Sequence, residues 1–510
     1  MLRKSNATFA ERKATLGQLF FERSFSVEVV GMSHGAVSPQ LGDSSVKPVF
    51  GFVLLGGALT GARVRDVYLM NELVRRGYRC HVWWAHERDR DAGIHPEITQ
   101  SWLFHHSRYA GYVQWIVGKS IGRPIDDWLG HLVSFLGGER VRQWIRRWRP
   151  QIITWGLEAL VRKSSSEVED DWPLLDRFAR ELDEAGITHV LPMLSVLAPF
   201  VQRACTRMRK SAQWAVTVQG YELYCYAARR AGIEKEFLQS IRRSIDASPV
   251  RPITVSHWYA KRIEREIGIP AERFVIIPPG IPLPQRISDD HARCLLGDEL
   301  GITDFDTPII CFVGRQDSEK GIDLLLYSIR MLQDQGITTQ LVIVGANGFG
   351  YSYSDACRQI AGHLSLNVRW KDYVKIEVRN ALMQLSDCLV CPSIHGEPFG
   401  IVVIEAMSLG TPVIVPNIGG SQEIICRDNL SAGLTFTCHD SGSLCDKLRM
   451  LLSNESLRSE LGTNGLTLVH RWTSGVVAER TLSAFLPDLQ SEVVEGSAPQ
   501  VCTAQVSTTP

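Results

Sequence analysis

The feature that most constrains this chain is a long alternation of short apolar runs with helix-like stretches. The runs are Val49–Leu55, Arg79–Trp84, Gln151–Thr154, His189–Pro192, Trp214–Val218, Ile253–Val255, Phe274–Ile277, Ile309–Val313, Leu341–Val344, Val368–Trp370, Cys388–Cys391 and Pro412–Val415. Most are near-continuous apolar runs rather than alternations, the pattern of parallel strands covered on both faces. Helical patterns lie between them, as at Arg63–Arg76, Ile322–Gln335 and Ile401–Leu409. Strand–helix alternation of this kind predicts an α/β, doubly wound architecture.

There are too many runs for one such sheet, and 510 residues are too many for one compact core. The stretch Pro278-Pro279-Gly280-Ile281-Pro282-Leu283-Pro284 is the best linker. It predicts a domain over 49–284 and a second over 285–470. Residues 1–48 read as a mobile leader, and 491–510, rich in Ser, Thr, Val and Pro, as a disordered tail.

Lys+Arg and Asp+Glu both number 55, so no global field draws the protein to nucleic acid. Arg142, Arg146, Arg147 and Arg149 cluster around Trp144 and Trp148, either as a solvated helix face or as a contact with a membrane surface, peripheral to it, or with an anionic acceptor. Trp83, Trp84, Trp102, Trp115, Trp128 and Trp155 suit a core first, a sugar-stacking or membrane-resting surface second. The 12 cysteines show no CxxC or zinc spacing, and buried, reduced thiols in a cytoplasmic protein are expected. Met1 to Gly17 lacks a signal-peptide core, and no 18-residue apolar run occurs.

Three motifs could carry chemistry. In Gly56-Gly57-Ala58-Leu-Thr-Gly61, a strand ends in a glycine turn that lets backbone approach a ligand; a tight strand–helix turn explains it equally. In Gly314-Arg315-Gln-Asp-Ser-Glu-Lys320-Gly321, two cations follow a strand's C-terminal end, where doubly wound sheets bind ligands. Arg315 and Lys320 could hold a diphosphate and stabilise it as it leaves, or Arg315 could merely pair with Asp317 or Glu319. The third motif runs from Cys391 through His395, Glu397, Phe399, Gly400 and Glu405 to Gly410 and Pro412. Its helix is apolar almost all round, so it is buried, yet it contains Glu405. A buried carboxylate needs a partner: ribose hydroxyls, backbone or an arginine. Glu397 can receive sugar hydroxyls, with the amides of Phe399, Gly400 and Ile401 beside it.

Glu397 and Glu405, with seven residues between them, resemble the E-x7-E motif of the family 4 retaining glycosyltransferases. The wording EPFGIVVIEAMSLGTPVIV, followed by Gly419-Gly420-Ser-Gln-Glu423-Ile, resembles that family closely, as does VGRQDSEKGIDLLL. Leu341-Val-Ile-Val-Gly345, Ile253-Thr-Val-Ser256 and Val275–Ile281 resemble further segments. The resemblance runs over about 49–485 and is strongest in the C-terminal half. It implies a GT-B fold, two Rossmann-like domains facing across a cleft, and transfer of a sugar from a nucleotide-diphosphate sugar to an acceptor hydroxyl. By match, Arg315 and Lys320 bind the donor diphosphate; Glu397, Phe399 and Gly400 meet the sugar; Glu405 holds the ribose. Gly57 lies beside the phosphate, and Lys371 to Val374 fall at the nucleobase. A final helix within 471–490 crosses back to the N-terminal domain. The catalytic set is Glu397, Arg315 and Lys320.

Relatives commonly carry a histidine where Val216–Glu222 here has Gln219. Gln219 and Tyr221 are candidate acceptor or sugar contacts. Glutamine hydrogen-bonds but takes up no charge, which motivates a second reading: a catalytically silent, glycosyltransferase-like binder of a sugar nucleotide or partner. Asp89-Arg-Asp91 and Asp304-Phe-Asp306 have a metal-site spacing without its strand context, so neither a metal nor another cofactor is expected. The glycine turn lacks the nicotinamide fingerprint, which disfavours an oxidoreductase.

Overall fold

The computed structural model describes residues 47–55, 61–85, 93–103, 157–158, 160–162, 164–165, 173–346 and 352–486. The leader, the strand expected at Gln151–Thr154, Gly57, Asp89–Asp91, the Arg142–Arg149 cluster, Trp115, Trp128, Trp155 and the tail lie outside them. The strands are β1 Val49–Leu54, β2 Arg79–Trp84, β3 Thr99–Trp102, β4 His189–Pro192, β5 Gln213–Trp214, β6 Thr217–Val218, β7 Ile253–Thr254 and β8 Val275–Ile276. They continue with β9 Ile309–Val313, β10 Gln340–Val344, β11 Val368–Lys371, β12 Cys388–Val390, β13 Val413–Pro416, β14 Cys426–Arg427, β15 Leu430–Ser431 and β16 Gly433–Phe436. Helices used below are α1 Gly61–Arg75, α2 His257–Ile267, α3 Ile322–Asp334, α4 Ile376–Leu385, α5 Ile401–Ser408, α6 Glu455–Leu468 and α7 Ser474–Phe485.

The first sheet has the order β3-β2-β1-β4-β5 and the largest the order β11-β10-β9-β12-β13-β16, both parallel throughout. Each order reverses direction beside its first strand, the doubly wound arrangement that leaves a crevice at the strands' carboxyl ends. In the large sheet the crevice opens between β9 and β12. Continuous apolarity has the expected cause: Ile309 and Cys311 enter one core while Ile310 and Phe312 enter the other. On β10, Val342 and Val344 divide from Leu341 and Ile343 in the same way.

Two departures are instructive. The run Trp214–Val218 forms two short strands, because it changes partner midway. Ala215 N still donates to Val190 O on β4, while Val216 O accepts from Ile253 N and leads into β6, in the small parallel sheet β6-β7-β8. Strands β3 and β16 lie at sheet edges; β3, of sequence TQSW and partly exposed, carries no apolar run to mark it. Trp83 and Trp84 are fully buried, whereas Trp102 is exposed. The described cysteines are free, and Cys294 is exposed rather than buried. Among the described residues no helix is long and apolar enough to cross a membrane.

The linker and α7 run side by side. Ile281 N donates to Trp472 O at 2.9 Å, and Ser474 N to Ile281 O at 3.0 Å. Thr473 caps α7 by accepting from Val476 N. The helix then packs along α1, where Arg76 donates to Gly475 O at 3.0 Å and pairs with Glu479 at 3.1 Å.

Candidate functional site

The site is assembled from the loops that leave β9 and β12. After β9, Gly314 N donates to Val344 O at 2.9 Å, and the fully buried Gln316 donates from Nε2 to Gly345 O at 2.5 Å. Gly345 sits at φ +147, and a Cβ on it would lie 1.8 Å from Gly314 O, so only glycine fits. The loop's cations are thereby held at the crevice. Arg315 is about one-third exposed and pairs with Asp317 Oδ2 at 2.5 Å and with Glu319. The ordinary ion pairs considered from the sequence therefore exist, and they hold the guanidinium in place.

Lys320 closes a short 3-10 turn and donates from Nζ to Glu397 Oε1. Ser393 Oγ donates to the same oxygen at 2.8 Å. Burial alone would raise the Glu397 pKa; Lys320 and His395, with the hydrogen bonds of Lys320 and Ser393, outweigh it and bring it from 4.5 to about 2. Glu397 is thus ionised at any physiological pH. The two loops are also tied through backbone, Ile394 N donating to Glu319 O at 3.0 Å.

Helix α5 follows, with Gly400 at φ +117 before its first turn and Gly410 at φ +79 after its last. Glu405 is buried at 8% exposure and accepts from Arg379 Nη2, on α4, at 3.0 Å. Its pKa is raised, burial exceeding the opposing effect of Arg379. Of the partners open from the sequence, an arginine is therefore present. Tyr68, on α1, lies within the field of both Glu405 and Arg379, and a Cβ on Gly61 would come 3.5 Å from Ile401 Cδ1. The start of α1 thus faces the start of α5 across the two halves.

Other expected residues are placed less directly. Phe399 is buried and packs edge-on to Trp472 at 6.4 Å, so its ring belongs to the core and only its backbone is offered to a ligand. Lys371 is exposed and its carbonyl accepts from Gly345 N at 2.9 Å, beside the β9 crevice; Val374 is half-buried against the core. Gln219 donates from Nε2 to Met193 O at 2.5 Å. Tyr221, the other candidate acceptor or sugar contact, is 1% exposed, and its hydroxyl donates to Glu266 Oε2 at 2.5 Å. Asp304 Oδ1 accepts from the amides of Asp306 and Thr307 at 2.9 and 3.1 Å, an ordinary turn. Among the described residues no group of three His, Cys, Asp or Glu could hold a metal. Arg379 and Tyr68 were not singled out from the sequence, because their approach to Glu405 crosses tens to hundreds of residues without a local pattern; Ser393, four residues before Glu397, gave no sign of its bond either.

Comparison with known proteins finds a family match within the C-terminal half. Residues 302–467 match the family of glycosyl transferases group 1. This group 1 segment contains Arg315, Lys320, Glu397 and Glu405. The chain is 31% identical over 193 residues to the phosphatidyl-myo-inositol mannosyltransferase of Mycobacterium leprae, covering 38% of this chain and 49% of that one. It is 28% identical over 232 residues to the D-inositol 3-phosphate glycosyltransferase of Xylanimonas cellulosilytica, covering 44% and 54%. The chain thus spans about half the length of the curated relatives it matches. Among solved structures it is similar to HepE of Anabaena, in complex with UDP and glucose, with a TM-score of 0.61, 15% identity and coverage of 86% and 99%. Sucrose-phosphate synthase of Thermosynechococcus elongatus gives a TM-score of 0.61 at 17% identity, with coverage of 86% and 98%. The fold around the group 1 segment is GT-B.

Proposed function

We propose that this chain is a retaining glycosyltransferase that moves a sugar from a nucleotide-diphosphate sugar to an acceptor hydroxyl. The observation that carries this reading is the meeting of Lys320 and Glu397 at the β9–β12 crevice, within the group 1 segment. A cation beside an ionised carboxylate suits a donor with two chemically different ends. Arg315 and Lys320 take the diphosphate, and Glu397, with the backbone of Phe399–Ile401, takes the sugar. Glu405, oriented by Arg379, takes the ribose, and the segment from Lys371 to Val374 flanks the base.

In the reaction the acceptor oxygen bonds to the anomeric carbon as its bond to the diphosphate oxygen breaks. The acceptor proton passes to that departing oxygen, on the face the nucleotide leaves. The chain supplies positioning and fixed charge for the leaving diphosphate, from Arg315, Lys320 and the start of α5. No metal is assigned a part, so EDTA should leave nucleotide affinity unchanged. Relatives named for phosphatidyl-myo-inositol and D-inositol 3-phosphate make polyol or lipid-linked acceptors the first to screen.

The test is titration calorimetry with UDP, GDP and ADP. One of them should bind in the micromolar range, with affinity at least about tenfold weaker in Lys320→Ala and Glu405→Gln, the loss of one charge-assisted hydrogen bond. Folded protein that binds none of the three would refute the donor site. Gln219, committed to Met193 O, favours one rival: a silent relative that binds a sugar nucleotide without turnover. Nucleotide release that depends on an acceptor excludes that rival.

A further inference from the structure

The two halves also meet away from the donor contacts, around the start of α2. Ser256 caps that helix by accepting from Tyr259 N at 3.1 Å, and its hydroxyl donates to Pro398 O at 2.7 Å, on the loop that carries Glu397. The next two amides of α2, those of His257 and Trp258, donate to the two carboxylate oxygens of Glu423, at 3.1 and 2.5 Å. Glu423 belongs to the group 1 segment, 166 residues from His257. A carboxylate there satisfies amides that a helix start leaves open, in a place where the helix dipole favours negative charge.

The loop is gripped from both sides at this point. Gly396 has φ +71, and a Cβ on it would lie 2.5 Å from the Trp258 ring. Arg262, over the Trp258 ring at 5.7 Å, donates to His395 O at 3.2 Å. From the other side, Gly420 N donates to Glu397 O at 2.7 Å, and a Cβ on Gly420 would lie 2.7 Å from Ser256 Oγ. The side chains of Lys320 and Ser393 orient the Glu397 carboxylate, whereas this grip sets where the Glu397 backbone stands. Glu423 joins its two sides, because it binds α2 and follows Gly420 in the same turn of chain.

We propose that Glu423 is a positioning residue: by capping α2 across the two halves it fixes the loop 395–400, and with it the carboxylate that faces the sugar of the donor. The assignment of that carboxylate to the sugar rests on the donor reading above; the clamp itself does not. Arg315 and Lys320 stand on the loop after β9 and Glu405 on α5, outside the loop 395–400, so loss of the clamp should disturb the sugar end most. Two amides use two oxygens. Glu423→Gln keeps one carbonyl acceptor and should rescue part of what Glu423→Ala loses.

Hydrogen exchange on the full-length, ligand-free protein tests the clamp directly. In Glu423→Ala the amides of His257 and Trp258 should exchange about tenfold faster or more, and the segments 396–400 and 419–421 should quicken with them; Glu423→Gln should be intermediate. Faster exchange confined to the start of α2 overturns the proposal. The second arm is calorimetry with UDP and UDP-glucose, and with GDP and GDP-mannose. In Glu423→Ala the bare nucleotide should keep its affinity, while the ratio of nucleotide-sugar to nucleotide affinity shifts by about fivefold or more. Equal loss for both means a general structural role and overturns it. If the wild-type chain binds none of these, the donor reading falls, and the exchange arm still decides whether Glu423 clamps the loop.

Discussion

Lys320 and Glu397 hold each other in a place neither would occupy alone. Both side chains are at most one-fifth exposed, at 15% and 20%. Removing the cation leaves a desolvated carboxylate, which costs more than the pair contributes. Lys320→Met, which keeps most of the side-chain length, should therefore lose about 2 kcal/mol of stability at pH 7. The sign of the pH dependence follows from the Glu397 shift, 4.5 to about 2. A depressed carboxyl pKa contributes stability that is fully present above pH 4.5 and is lost as pH falls towards 2. Without Lys320 burial dominates, the pKa rises, and that stability disappears at neutral pH as well. Adding Glu397→Gln removes the stranded charge, so the double variant should melt higher than Lys320→Met alone while still binding nucleotide at least about tenfold more weakly than the wild type. Thermal melting and calorimetry on the same three proteins check this. A double variant no more stable than Lys320→Met would mean that the pair carries no charge coupling.

Among the elements, the loop between β13 and β14 shows a constraint that is purely one of distance. Gly420 has φ −69, open to any residue, yet a Cβ there would lie 2.3 Å from Pro398 O and 2.7 Å from Ser256 Oγ. Gly420→Ala should cost about 3 kcal/mol, in the range of severe core disruptions. Gly362→Ala, where a Cβ meets nothing within 4 Å on a helix, should be neutral or slightly stabilising by denaturant titration. Equal stability for the two variants would show that the loop 395–400 yields freely. The same region shows what a sequence can and cannot display. The strand Ile309–Val313 is legible to the residue, because a run buried on both faces must be apolar throughout. Helix α5 is legible because Gly400 and Gly410 bracket it. Glu405 marks itself as a lone carboxylate in an apolar helix. Its partner Arg379 looks like any surface arginine of α4, and Glu423 shows no sign that it caps a helix of the other half. Such pairings are made by the fold, between residues that share no local pattern, and the polar edge strand β3 is hidden for a related reason: half its surface faces water.

At the scale of the whole molecule, the return of α7 to the N-terminal half ends on a histidine. His189, on β4, lies between Phe50 of β1, at 5.2 Å, and Phe485 at the end of α7, at 5.4 Å. Burial pushes its pKa down from 6.5 to about 4, and the same cause acts on His81 of β2, also to about 4, where the ring stacks on Trp83 at 3.8 Å. A depressed histidine pKa means that between pH 4 and 6.5 the unfolded chain binds more protons than the folded one. Stability therefore rises with pH through that window and falls as the solution is acidified through it. Both histidines sit in the first sheet, so acid should loosen that sheet and the docking of α7 before it reaches the six-stranded sheet whose loops carry Lys320 and Glu397. The melting temperature should drop by about 5 °C or more between pH 7 and 4.5. Hydrogen exchange at the lower pH should rise first in α7 and β4. His189→Phe keeps an aromatic ring and removes the titrating nitrogens, while Thr188 Oγ1 retains its bond to Val49 O at 3.2 Å. That variant should show a clearly shallower acid slope, with the part due to His81 remaining. A slope as steep as the wild type, or a melting temperature unchanged from pH 7 to 4.5, would show that the buried histidines do not couple acid to the crossover. The arrangement makes the N-terminal half the weaker partner in acid, with α7 as the element through which that weakness reaches the linker at Ile281.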